Sequence, residues 1–405
     1  MVTESEPVKI ATRRLILRDS AAFAILLFGA AVLFAITLFL FRSFTAHRAV
    51  LAEYWSGIGI DDLKTHNPDA AIAALRTALV YAPGSREYEL LLAQALGESN
   101  CSGCRDESYN YYMNLWETEP GNGSINLALA RLDAQRKDRP AAINAYRAAI
   151  YGTWEGNGVD RRADARLELA RYLIQGQDFS GARLELLTAG TNAPEAFDRS
   201  IEIATLLRQV NDLPDAWSFY QRALADHPAD TAALAAAGGL AYESGDFEAA
   251  HRLLARALDT KTGVPPGPQA RVMMENAQRI LELMPTNALP LRERVDRILA
   301  ARSIAKKRFD SCSAQFIDAP APSAAIAQLG PRWSGSAGTA TAATLTHDPS
   351  LQEDAMQLVF DTEAEAQKSC SAATGDDALL LTLANSPHGT NSSAGRTSRL
   401  VAPID

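Results

Sequence analysis

The middle of this 405-residue sequence repeats itself every 34 residues. Ala182, Ala216 and Ala250 share one phase of the repeat, Leu186, Tyr220 and Leu254 a second, and Ala189, Ala223 and Ala257 a third. The same step carries Leu169 to Ile203 to Ala237, Ala170 to Ala204 to Gly238, and Pro194 to Pro228. Small residues stay in register with small ones and large with large, which independent helices would not maintain. A fixed period of this length means stacked helical hairpins, each burying its apolar face only by packing on its neighbour. Small residues recur where two helices must cross closely, and the large residue between them fills the gap.

The same template extends upstream. One unit places Trp55, Ile58 and Gly59 in its first helix and Ala71, Leu75, Ala78 and Pro83 in or after its second. Another uses Leu92, Ala93, Ser108, Tyr112, Leu115 and Pro120, and a third Leu129, Ala130, Ala142, Tyr146 and Ala149. With Gly238, Tyr242, Gly245 and Phe247 in the last unit, these residues resemble the tetratricopeptide repeat family, including its Trp-x-x-Ile-Gly opening. The resemblance covers about six units over 52–264. It implies a right-handed α-solenoid, a scaffold rather than an enzyme, and a protein or peptide partner held in a concave groove. Two insertions interrupt the period. Three extra residues fall within Asn100–Arg105, and six within Tyr151–Gly158, both rich in turn-forming residues.

Ala21 to Phe41 is a run of 21 residues without charge. At about 1.5 Å per residue it matches the roughly 30 Å hydrocarbon core of a bilayer. A cleaved signal peptide is the rival reading, but the run is long for one and Arg42-Ser43-Phe44-Thr45-Ala46 offers no small-x-small cleavage site. The expectation is a single transmembrane helix over 20–42. Lys9, Arg13, Arg14 and Arg18 precede the run, against Arg42 and Arg48 after it. That bias places 1–19 in the cytoplasm and, in a bacterial inner membrane, the bulk of the chain in the periplasm. Residues 1–48 carry a net charge of +3 within a chain of −9, so the remainder is −12. A body this acidic is a poor partner for nucleic acid.

Beyond Pro265-Pro266-Gly267-Pro268 the phase is lost, but helical patterning continues over 268–384. Leu291, Val295, Ile298, Arg302, Ala305, Phe309, Cys312 and Phe316 alternate four and three apart, the spacing of a helix seam. A second amphipathic helix is expected over 350–369 and a short apolar segment over 378–383. Residues 319–347, rich in Ala, Pro, Ser, Gly and Thr, read as a mobile loop with Trp333 docked back. The tail 385–405 reads as disordered. The expected fold class is therefore all-α: one transmembrane helix, a helical solenoid and a helical C-terminal region.

Motifs for catalysis are missing. There is no Walker loop, Gly-x-Ser-x-Gly or His-Glu-x-x-His, and neither cofactor nor metal is expected. Asp61-Asp62 and Asp376-Asp377 are adjacent carboxylates, which diverge on a helix and read as caps or solvated charge. Cys101-x-x-Cys104 admits three readings: a local disulfide tightening an enlarged turn, free thiols, or a redox or metal site. The redox reading, a thiol enzyme or sensor, is the alternative function. It lacks the βαβ context of thioredoxin-like pairs, and zinc would need two more ligands nearby. Cys312 and Cys370 fall near the ends of two expected helices. They form either a disulfide closing a loop of about 58 residues, worth very roughly 4 kcal/mol, or two buried thiols.

The resemblance also implies which side chains line the groove, since in the family the first helix of each unit faces inward. Carried onto this chain, the inward positions are Lys64, Gln94, Arg131, Gln135, Arg171, Gln175, Arg208, Gln209, Tyr242 and Glu243. They make a basic, amide-rich ladder in an acidic protein. Arginine forks and glutamine amides suit carboxylates and exposed peptide backbone. The family's Lys and Asn set for clamping a C-terminal carboxylate is not reproduced.

Overall fold

A left-handed residue closes every hairpin of the repeat array. In the computed structural model, which describes residues 6–192, 196–259, 265–316 and 324–387, positive φ recurs at His66, Gly103, Lys137, Gln177, Asn211 and Gly245. The steps between them are 37, 34, 40, 34 and 34 residues, so the three- and six-residue insertions lie before Gly103 and between Lys137 and Gln177. The first helices ending at Gln135, Gln175, Gln209 and Glu243 share one closure. The amide three residues past the helix donates back to a carbonyl in its last turn: Asp138 to Asp133 at 3.0 Å, Asp178 to Leu173, Asp212 to Leu207 and Asp246 to Ala241 at 2.9 Å each. This is the Schellman geometry, which needs one residue at positive φ. The residue after it then caps the second helix. Asp138, Asp178 and Asp246 accept from backbone amides at 3.0–3.1 Å.

The chain divides into two compact units, Met1–Ala165 and Arg166–Asp405. The first holds α1 (Glu6–Lys64), α2 (Pro68–Tyr81), α3 (Arg86–Glu98), α4 (Cys104–Thr118), α5 (Gly123–Gln135) and α6 (Arg139–Tyr151). Helix α7 (Gly158–Gln175) begins in the first unit and ends in the second. The second unit continues with α8 (Phe179–Asn192), α9 (Phe197–Gln209), α10 (Leu213–Asp226), α11 (Thr231–Glu243) and α12 (Phe247–Asp259). Among the described residues every regular element is a helix.

The crossing of the two helices in a hairpin explains the 34-residue alternation of small and large. A Cβ on Gly59 would lie 2.6 Å from Leu75 Cγ, and one on Gly238 would lie 2.7 Å from Leu254 Cγ. The leucine of the second helix sits directly on the backbone of the first. Ala130 with Tyr146, Ala170 with Leu186 and Ala204 with Tyr220 hold the same register, and all six are buried. Contacts this close maximise dispersion and leave no room for an added methyl group.

Helix α1 alters the expected layout. The apolar run and the first helix of the first hairpin are one uninterrupted 59-residue helix. Ala52, Ser56 and Gly59 of its C-terminal part are buried where α2 packs on it. Phe28, Phe34 and Phe39 are 72%, 68% and 71% exposed. It is the one described helix long and apolar enough to cross a membrane.

The C-terminal region comprises α13 (Pro268–Leu283), α14 (Leu291–Ala314), α15 (Ala324–Ser336), α16 (Ala342–His347), α17 (Pro349–Ser369) and α18 (Asp376–Ala384). Helix α13 packs on α12 as a further helix of the stack. The mobile loop expected over 319–347 is corrected: α15 and α16 occupy most of it. Small residues disguise a helix whose Ile326, Leu329 and Trp333 are buried at three- and four-residue spacing against α14 and α17. Trp333 Nε1 donates to Thr362 Oγ1 at 3.1 Å, and the Arg302 guanidinium lies 4.9 Å from its ring. A disulfide joins Cys312 of α14 to Cys370 after α17, Cα–Cα 5.8 Å. Of the tail, Ser386 is buried and the rest past Pro387 lies outside the described residues.

Two substitutions at the hairpin turn should shift stability in opposite directions. Gly245 has φ +81°, and a Cβ there would lie 2.9 Å from Pro387 Cδ and Ser386 Cβ. Gly245→Ala should destabilise the second unit by about 1–2 kcal/mol, the cost of a left-handed alanine, as a lower guanidinium midpoint by circular dichroism. Gln177→Gly removes the same strain, and should leave the midpoint unchanged or raise it by up to about 1 kcal/mol.

Candidate functional site

The first helices of successive hairpins present one face of each unit, and their charges pair along the stack. In the second unit Arg171 of α7 forms an ion pair with Glu202 of α9. Arg208 of α9 forks onto Glu243 of α11, with Nε 2.7 Å from Oε2 and a second bond from Nη2 to Oε1. Those bonds hold the Arg208 guanidinium further above its ordinary value, against the opposing effect of its burial. Pairs exposed to this degree are worth about 0–1 kcal/mol each. Arg171 and Arg208 of the ladder are thus charge-matched by glutamates about one repeat on. What stays exposed in the last turn of α7 and α9 is the amides of Gln175 and Gln209.

Tyr242 is held by the protein itself. It is half-buried, hydrogen-bonded to Asn276 of α13 and Thr382 of α18, and burial raises its phenol. Its ring meets Phe247 edge-on at 5.6 Å. Helices α13 and α18 therefore cover the end of the face to which the repeat pattern assigns Tyr242. In the first unit Lys64 pairs with Asp61 at 3.0 Å, and Gln94 Nε2 donates to Glu98 Oε1 at 2.9 Å. Arg131 and Gln135 of α5 are exposed. Burial pushes the neighbouring Tyr112 phenol up to about 12, with Arg131 pulling it down.

Cys101 and Cys104 form a disulfide, Cα–Cα 5.4 Å. Cys104 opens α4 and is buried in a cluster with Ala71, Ile72, Leu75, Leu92 and Leu96. The enlarged turn is tied further by Ser99, whose hydroxyl donates to Asp69 Oδ1 at 2.6 Å and accepts from the Cys101 amide at 3.1 Å. Among the described residues no group of three or more His, Cys, Asp or Glu could hold a metal ion.

The sequence reading missed an ionisable cluster in the C-terminal region. Glu363 of α17 is fully buried. Arg308 Nε of α14 stands 3.8 Å from Glu363 Oε2, beyond hydrogen-bond reach, while its Nη2 donates to the Ser371 carbonyl. Asp377 of α18 interacts with Glu363 as well. Burial first, and then the Asp377 charge, push Glu363 up to about 8, with Arg308 opposing them. Burial raises Asp377 as well. Arg279 of α13 clasps Asp376 at 3.0 and 2.8 Å and lowers it. The expectation that Asp376-Asp377 is capping or solvated charge is corrected: one residue is bridged and the other faces a buried carboxyl. Only the folded chain brings 308, 363 and 377 together.

Residues 201–268 match the family model of the tetratricopeptide repeat, and the chain carries these repeats. No curated protein matches the sequence. Among solved structures it is similar to PilF of Pseudomonas aeruginosa, 16% identical, covering 57% of this chain and 98% of that one with a TM-score of 0.41. PilW, a type IV pilus biogenesis factor, is 16% identical over 55% of this chain and 98% of its own, TM-score 0.42. MamA is 18% identical over 43% and 90%, TM-score 0.33.

A carboxyl raised in the folded state stabilises the fold fully below its unfolded value and loses that contribution as pH rises through the folded value. Glu363, ordinarily near 4.5 and about 8 here, should therefore weaken the second unit as pH rises from 5 to 8, by at most about 1.4 kcal/mol per unit. Glu363→Gln should flatten that slope in urea-unfolding midpoints and leave the variant more stable than the parent at pH 8.

Proposed function

We propose that this tetratricopeptide-repeat chain is a single-pass scaffold of the inner membrane, with its N-terminus in the cytoplasm and its repeats in the periplasm. There it holds a protein or peptide partner near the bilayer, in a setting such as assembly or quality control of an envelope complex. The observation that carries the partner reading is the register of exposed amides in the second unit, Gln175 and Gln209, at the last position of α7 and α9. Glutamine pairs with peptide N–H and C=O without net charge, so it suits backbone of an extended or helical segment. Because Glu202 and Glu243 already neutralise Arg171 and Arg208, an acidic partner must displace those pairs, and affinity falls to the amides. The membrane reading is supported by the exposed phenylalanines of α1 and by the excess of Lys and Arg before the apolar run. Two disulfides suit an oxidising compartment. Burial of Cys104 favours a structural staple over thiol chemistry.

Photo-crosslinking tests the face directly. A photoreactive residue at Gln175 or Gln209 should yield one discrete adduct in native membranes. One at Leu184 of α8, which is 65% exposed, should not. Gln175→Glu with Gln209→Glu should cut capture of that adduct's partner about tenfold, equivalent to about 1.4 kcal/mol, with helicity unchanged. Adducts of equal yield at Leu184, or undiminished capture, would put the partner elsewhere.

A further inference from the structure

We propose that one edge of the first unit, formed by the C-terminal ends of α2, α4 and α6, lies in the headgroup layer of the bilayer. This rests on the membrane reading above and adds where the repeats sit. Each of these helices carries an aromatic residue in its last four positions: Tyr81, Trp116 and Tyr151. Tyr151 is 78% exposed, Trp116 36%, and Val80 beside Tyr81 70%. The corresponding ends of α8, α10 and α12 in the second unit carry no aromatic residue, and two of them end in Asp226 and Asp259. A tyrosine or tryptophan at the end of every second helix of one unit, exposed at Trp116 and Tyr151 and half-buried at Tyr81, and at none of the corresponding ends of the other is a pattern with a location. Tyr and Trp are the residues enriched where hydrocarbon meets water.

The turns along this edge are stitched into one strip. Arg48 Nη2 donates to the Val80 carbonyl at 2.8 Å, so α1 holds the end of α2. Arg86, opening α3, forms an ion pair with Glu119 at the end of α4. The Thr153 amide donates to Gly121, and the Gly123 amide to Thr153, each at 2.8 Å, joining the turn after α6 to the turn after α4.

The height of the strip follows from α1. Arg48 is seven residues past Phe41, the last of the apolar run, and the helix between them is unbroken. Seven residues rise about 10 Å, and the headgroup region is about 5–7 Å thick on each side of the hydrocarbon. Because α2 runs back toward the membrane, the turn that follows Tyr81 descends from the Arg48 level into that layer. A flexible linker would leave the first unit free in solution, but a continuous helix cannot.

The test uses the full-length chain, with its native cysteines oxidised, in nanodiscs of phosphatidylcholine and phosphatidylglycerol. Single cysteines introduced as Phe34→Cys, Lys64→Cys, Val80→Cys and Glu155→Cys carry an NBD fluorophore, and lipids carry a spin label on the headgroup or the acyl chain. Headgroup label should quench positions 80 and 155 several-fold more than position 64, which is about 35 Å past Phe41 along α1, and acyl label should quench position 34. Quenching at 34 with positions 80 and 155 behaving like 64 overturns the proposal while leaving the span intact. Loss of quenching at 34 as well means that the span itself is wrong. Shielding of 80 and 155 from aqueous iodide without lipid quenching would assign the edge to a protein and also overturn the proposal. Combining Tyr81→Ser, Trp116→Ser and Tyr151→Ser should release position 155 from the headgroup quencher, with circular dichroism unchanged. Undiminished quenching there would remove the aromatic residues from the explanation.

Discussion

The structure depends on one close contact, a large side chain of the second helix resting on the bare backbone of the first. At Gly59 and Gly238 no Cβ fits beneath the opposing leucine, and buried alanines hold the equivalent positions elsewhere. This crossing fixes how far apart the helices of a hairpin lie. The left-handed residue that ends the first helix fixes where the second begins. Once both are set, the remaining residues of the period need only supply an apolar face for the next hairpin. That explains why insertions of three and six residues are accepted: they enlarge turns without touching a crossing.

The same economy governs charge. In the second unit Arg171 and Arg208 on the inward helices are matched by glutamates roughly one repeat later, so these charges neutralise one another along the stack. A face that reads as basic in one helix is nearly neutral in the array. What that face leaves exposed is the amides, on which the proposed partner binding rests. In the C-terminal region the balance is different. Glu363 is buried with only a distant arginine and a facing carboxyl, and it remains tolerable because it keeps its proton well above the usual carboxylate range.

Most of the architecture was legible in the sequence because periodicity is a local signal repeated many times. Helix spacing and the insertions follow from residues within one period of each other. The helix over 324–336 was not legible, because alanine, glycine and proline there resemble a loop and only Trp333, seated against Thr362, betrays an inward face. Tyr242 was placed in an open groove for a similar reason. The residues that cover it lie on α13 and on α18, the latter about four periods away and without the repeat's phase.

From its sequence alone, this chain was bound to be a stack of helical hairpins with an apolar N-terminal run, since small-large alternation at a fixed period and an uncharged stretch of bilayer length have few other solutions. Tertiary structure alone decided how charges are shared between repeats, that the apolar run and the first repeat form one rigid helix, and which aromatic residues line a common edge. Those properties depend on which side chains meet across helices, and sequence distance carries no information about that once the repeat ends.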